Sequence, residues 1–207
     1  TIGFDGADLI GLPPHEVLRR GVARTFQNIR LFTNLSVLDN ILIGQHARLQ
    51  TGPIAAVFRP PSTRREEAAA REWASKILAL FGNRLLPRAA QTVSHLSYAN
   101  RRRVEIARAL ASRPKILLLD EPTAGMNPQE SATFVEFVYR VRDEKDLSVL
   151  LIEHDMSVIM KVSERITVLS RSVHGGGLVR WLGQADGSYR VEQLERRAEE
   201  RRQPGLG

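Results

Sequence analysis

Cysteine is absent from the 207 residues, which excludes disulfides and thiolate metal sites and fits a reducing compartment. Lysine is scarce. Only Lys76, Lys115, Lys145 and Lys161 contribute to the thirty basic residues, leaving 26 arginines. No lysine follows a glycine, so the chain contains no G-x-x-x-x-G-K-[ST] loop, the backbone cradle that grips a nucleotide's phosphates. Long apolar runs are missing too; those present are broken by charge and too short to cross a bilayer. No basic-then-apolar leader follows Thr1. A first residue other than Met, together with the absent loop, leads us to expect an amino terminus that has been cut away.

What is present suffices for one globular domain with room for a subdomain: 43% of the residues are hydrophobic. The net charge of +7 and pI near 10.5 raise the question of nucleic acid. The arginines are spread along the chain rather than clustered, so the reading is a solvated basic surface and no nucleic-acid partner.

Turn and cap signals divide the chain. Asp5-Gly6 marks a hairpin, Pro13-Pro14 opens a short helix to about Arg20, and Val22 to Phe26 is a short strand ending at Gln27. Ser36 caps a helix with Val37, Leu38, Ile41 and Leu42 at helical spacing. Thr51 to Ser62 reads as a loop. Thr63 is the expected cap of a helix whose face holds Ala69, Trp73, Ile77, Leu80 and Phe81, stopped by Gly82. Ser97 begins another helix, to about Ala111. A strand at Ile116, a helix from about Gln129 to Arg142, a strand Ser148 to Ile152, a helix near Met156 to Val162 and a strand Arg165 to Leu169 follow. This alternation predicts an α/β fold with a largely parallel sheet flanked by helices, and residues 35–110 form an inserted helical subdomain. Residues 171–207 form a divergent charged tail, with Leu194 to Arg202 a charged helix with almost no apolar face, read as a solvated or disordered tail in preference to a docking helix for a partner.

The chemistry gathers at predicted strand ends. Ile116-Leu117-Leu118-Leu119 delivers Asp120 and Glu121 to an edge, where one carboxylate can hold Mg²⁺ through its water shell and the next can orient water toward a γ-phosphate. Ser97 stands at a helix start, whose free N–H groups and dipole suit a phosphate. His154 follows the apolar strand Val149 to Ile152 and reaches the same edge as Glu121. Gln27, ending the early strand, offers an amide oxygen to Mg²⁺ or its water.

Taken in order, these residues resemble the ATP-binding subunit of ABC transporters. Gln27 matches the Q-loop glutamine, Leu96 to Asn100 the LSGGQ-type signature, and Ile116 to Glu121 the Walker B segment with its catalytic glutamate. Ala124-Gly125-Met126-Asn127 matches the D-loop and His154 the switch histidine. Ala23 to Phe32, the tyrosine of Leu96-Ser97-Tyr98 and Leu151 to Met156 resemble the branched-chain amino-acid (Liv-type) branch. The resemblance implies a P-loop-NTPase-like fold over residues 1–170 with its amino-terminal strands missing, ATP and Mg²⁺ as ligands, and hydrolysis coupled to import. It implies Glu121 and His154 as catalytic residues, Gln27, Ser97, Ala99, Asp120 and Asn127 as nucleotide-binding, and Asp120 and Gln27 at the metal. Implied partners are membrane permease subunits, a second ABC ATPase subunit and, indirectly, a periplasmic binding protein, at the cytoplasmic face of the membrane.

The chain departs from the family pattern in the missing phosphate loop, in Ala99 and Asn100 where the signature has glycine and glutamine, and after Leu169. Without the first strands, Ile116 to Leu119 and Val149 to Ile152 are expected to show an unpaired edge and exposed apolar surface, leaving the chain poorly soluble or partly unfolded. Two other readings stay open: a degenerate, non-catalytic module that only docks on a partner, and a non-transport ABC ATPase acting on nucleic acid or ribosomes.

Overall fold

Asp5 and Gly6 both adopt positive φ, 51° and 77°, as a two-residue hairpin turn requires. They join β1 (Gly3–Phe4) to β2 (Ala7–Asp8) as the sequence predicts. The computed structural model describes residues 1–49, 55, 58–145, 147–171, 178–184 and 189–194, with side-chain burial given through residue 166. Two units make up the chain, Thr1–His154 and Asp155–Gly207.

In the first unit α1 (Pro14–Arg19) leads into β3 (Val22–Arg24), which pairs parallel with β4 (Ile116–Asp120); β4 pairs parallel with β5 (Ser148–Ile152). The order β3-β4-β5 puts β4 in the middle, with Leu117 and Leu119 buried. The expected unpaired edge at Ile116 to Leu119 is therefore corrected, because β3 and β5 take both of its sides. The expectation holds for β5, which pairs only with β4 among the described residues and leaves Leu150 46% and Ile152 51% exposed.

Between β3 and β4 the chain is mostly helical, as expected for residues 35–110. Ser36 caps α2 (Val37–Gly44), its Oγ accepting the Asp39 N–H at 3.1 Å. Buried Asn40 returns its amide to the Phe32 and Ser36 carbonyls and accepts the Phe32 N–H. The next helix, α3 (Pro61–Leu80), starts two residues before Thr63, because Pro61 suits a first turn. Thr63 is buried inside the helix rather than capping it, and the buried face runs through Ala70, Ala74, Ile77 and Leu78, one residue off the expected Ala69. Phe81, not Gly82, follows its last residue. Ser97 caps α4 (Tyr98–Ala111), and α5 (Pro128–Lys145) precedes β5.

Two contacts lock α4 in place. A Cβ on Gly44 would stand 2.3 Å from the Arg108 carbonyl oxygen, so only glycine lets α2 lie this close. At the other contact, Arg102 is wholly buried yet charged. Its guanidinium donates to the Glu105 carboxylate at 2.8 Å, to the Phe26 carbonyl at 2.5 Å, and to the Gln27 and Glu121 carbonyls, both at 3.1 Å.

The second unit begins with α6 (Met156–Val162), whose Asp155 cap accepts the Ser157 N–H. Its strands β6 (Arg165–Arg171), β7 (Leu178–Gln184) and β8 (Tyr189–Leu194) form an antiparallel sheet. β6 runs two residues past the expected end, and β7 and β8 were not foreseen in the charged tail. The expected division after residue 170 falls inside β6; the expected charged segment beyond Leu194 lies outside the described residues.

Gly44→Ala is expected to cost about 1–3 kcal/mol by overpacking the α2–α4 contact, seen as a drop of about 2–4 °C in Tm per kcal/mol. Arg102→Met strands Glu105 as a buried charge and is expected to cost about 3–5 kcal/mol in denaturant unfolding. Arg102→Met combined with Glu105→Leu is expected to cost less than Arg102→Met alone.

Candidate functional site

Parallel pairing brings the ends of β3, β4 and β5 to one side of the sheet, where their last side chains meet. Asp120 ends β4, and its Oδ2 accepts from the Arg24 guanidinium at 2.9 Å. Next comes Glu121 in the left-handed region, φ 44°, a conformation that costs a non-glycine residue about 1–3 kcal/mol. Its N–H donates to the Ile152 carbonyl at 2.9 Å, so the turn is held by the end of β5. The Glu121 carboxylate then lies between two groups: Gln27 Nε2 donates to Oε2 at 2.9 Å, and His154 Nδ1 stands 3.8 Å from Oε1.

The support beneath these groups comes from buried polar atoms. Thr25 receives the Asp120 N–H on its Oγ1 at 3.3 Å. Glu153, with a side chain 1% exposed, accepts the Thr123 N–H at 2.9 Å, the Thr123 hydroxyl at 2.5 Å and the His154 N–H at 3.2 Å. One buried carboxylate thereby ties the loop after Glu121 to the residue that carries the imidazole, whose own side chain is 77% exposed. From the opposite side Arg102 holds the carbonyls of Gln27 and Glu121.

Of the residues singled out in the sequence, Gln27, Asp120, Glu121 and His154 assemble here. Ser97 stands apart as the α4 cap, accepting the Asn100 N–H at 3.4 Å, and Ala99 is buried in the first turn of that helix. Asn127 forms a reciprocal cap with Glu130 at the start of α5, Oδ1 accepting at 2.9 Å and the backbone N–H donating at 3.2 Å. No described hydrogen bond links Ser97, Ala99 or Asn127 to the carboxylate edge. The α4 start does meet the segment before Asn127: Gly125, φ 75°, leaves room for the Tyr98 ring, which a Cβ would approach to 3.2 Å.

Sequence reasoning missed Arg24, Thr25, Arg102, Thr123 and Glu153. The spacing of Arg102 and Glu105 marks an ion pair on one helix face, and Glu153 stands next to His154. Neither pattern says that the charge faces inward.

The described residues contain no group of three or more His, Cys, Asp or Glu that could enclose a metal. A hard cation taking most of its ligands from phosphate and water needs only one or two protein oxygens. Asp120, with one oxygen on Arg24 and the other facing no described donor, and the Gln27 amide oxygen fit that demand.

A family model described as ABC transporter matches residues 1–124. The chain is 42% identical over 170 residues to the high-affinity branched-chain amino acid transport ATP-binding protein BraF of Pseudomonas aeruginosa, covering 82% of this chain and 66% of that protein. It is likewise 42% identical over 171 residues to LivG of Escherichia coli K12, a protein of the same description, covering 83% and 66%. The chain thus spans just under two thirds of the length of these relatives. Among solved structures, an ATP-binding cassette of an ABC transporter in its ADP conformation superimposes with a TM-score of 0.63 at 28% identity, covering 80% of this chain and 63% of that one. A nucleotide-free cassette gives 0.60 at 28% identity and the same coverage. The α/β sheet flanked by helices is that of the P-loop-NTPase-like cassettes, and with more than half its residues matched the chain belongs to the ABC transporter family.

Proposed function

We propose that this chain carries the hydrolytic edge of the ATP-binding subunit of an importer for branched-chain amino acids. The observation that supports it most is the Glu121 carboxylate held between Gln27 and His154, one residue after Asp120, in a chain 42% identical to the branched-chain amino-acid transport proteins. Glu121 orients and deprotonates the water that attacks the γ-phosphate, and the Gln27 amide fixes the direction of its carboxylate. His154 reaches toward the same oxygen pair and contacts the γ-phosphate. Asp120 and Gln27 would hold Mg²⁺, which when bound neutralises charge developing on the phosphate oxygens. Arg24 occupies one Asp120 oxygen and leaves the other to the cation. Ser97, Ala99 and Asn127 contact nucleotide across a dimer with a second ABC subunit.

The helical segment 35–110 meets a membrane permease, with a periplasmic binding protein delivering solute on the far side. None of the described helices is long and apolar enough to cross a membrane; a peripheral position at the cytoplasmic face belongs to the same reading. The alternative of a non-catalytic module finds support in Ala99 and Asn100, which replace the glycine and glutamine of the signature.

Glu121→Gln in the natural gene product is expected to leave ATP binding intact and to lower hydrolysis at least about 100-fold. Unchanged hydrolysis would remove Glu121 from the reaction, and a gene product that binds no ATP would favour the non-catalytic module. Glu153→Gln is expected to lower kcat about tenfold with KM for ATP nearly constant, because it loosens the Thr123–His154 tie without touching nucleotide.

A further inference from the structure

A cleft of about 150 Å³ opens away from the carboxylate edge, between the end of α3, the 3₁₀ turn Gly82–Arg84, α4 and α5. Its floor is aromatic. Phe81 stacks on Phe137 at 4.3 Å between centroids, and Phe134 lies 6.2 Å from Phe137. Three arginines, Arg84, Arg103 and Arg140, line it against a single carboxylate, Glu136.

The arginines are short of partners. Arg103 is 93% inaccessible, and although Nη1 donates to Asn100 Oδ1 at 2.8 Å, its Nη2 is buried with no acceptor. Leaving such a charged donor unmade costs more than an ordinary hydrogen bond returns. Burial pulls the Arg103 guanidinium below the usual arginine range, the nearby Arg84 charge adds to this, and Glu130 opposes it. Arg84 is exposed and makes no side-chain hydrogen bond or ion pair among the described residues. Arg140 reaches only the Leu80 carbonyl, at 3.5 Å. Two like charges lining one cleft with three phenylalanines, Arg84 exposed and Arg103 mostly buried, make an arrangement that suits an anion on an apolar body.

We propose that this cleft binds a small organic carboxylate, its anion held by Arg84 and Arg103 and its apolar body on Phe81, Phe134 and Phe137. The volume suits a single ring, since an apolar cavity of about 150 Å³ holds benzene. None of these residues belongs to the carboxylate edge, although Arg103 is held by Asn100 of the signature segment. An anion there would bridge the α3–α4 connection to α5.

Phenylacetate titrated into the full chain, followed by calorimetry and by the arginine side-chain NMR signals, tests it. We expect saturable binding that weakens at least about tenfold in Arg84→Gln and again in Arg103→Gln. Arg64→Gln, which removes an exposed charge from the far end of α3, should bind as the parent does. Benzyl alcohol, the same ring without the charge, should bind at least tenfold more weakly. The absence of saturable phenylacetate binding would overturn the proposal. So would equal affinity in Arg84→Gln and Arg64→Gln, or benzyl alcohol binding as tightly as the acid. Arg84→Gln alters only an exposed turn residue, so this arm survives even if Arg103→Gln unfolds.

Discussion

A guanidinium with no solvent must find its acceptors inside the protein, and Arg102 finds four. Three are backbone carbonyls from segments far apart in sequence: Phe26 and Gln27 after β3, and Glu121 after β4. The fourth, Glu105, lies one turn along the same helix and balances the charge. Because carbonyls at strand ends otherwise need water or a partner, this one side chain satisfies them and sets where α4 sits. The position of the Gln27 amide and the Glu121 carboxylate follows from it. So the carboxylate edge rests on a buried ion rather than on apolar packing alone.

Glu121 sits on strain, and its neighbours hold the strain in place. Its left-handed backbone is fixed on one side by the Ile152 carbonyl and on the other by Arg102, while Glu153 clamps Thr123 two residues on. Three independent ties on a three-residue stretch leave the carboxylate little freedom. His154 is different. It hangs from a buried anchor yet remains exposed, so the fold fixes its root and leaves the ring free to respond to what arrives.

The legible part of the sequence was the part with periodicity. Ser148–Ile152 and Met156–Val162 were read with their true ends, because an unbroken apolar run marks the strand and Asp155 stands before the helix, and Ser36 and Ser97 announced their helices. Thr63 misled because Pro60-Pro61 set the helix start before the hydroxyl could matter. The edge position of β5 reverses the usual rule, with Leu150 and Ile152 outward and Glu153 inward, so no polarity pattern could have shown that Glu153 is buried. Gln27, Asp120, Glu121 and His154 stood out by motif order, whereas Arg24 and Thr25 entered only within the Ala23 to Phe32 resemblance, with no role of their own. Their roles appear only when β3 and β4 are laid in register.

The Gly44 contact governs motion as well as packing. With no side chain between α2 and the backbone of Arg108, a slide of α2 by one residue would press a Cβ into that carbonyl. The contact therefore also fixes the register of the helix that Ser36 caps against the helix that Ser97 caps. The 3₁₀ turns between Gly82 and His95, by contrast, carry no continuous helix to resist a change of direction.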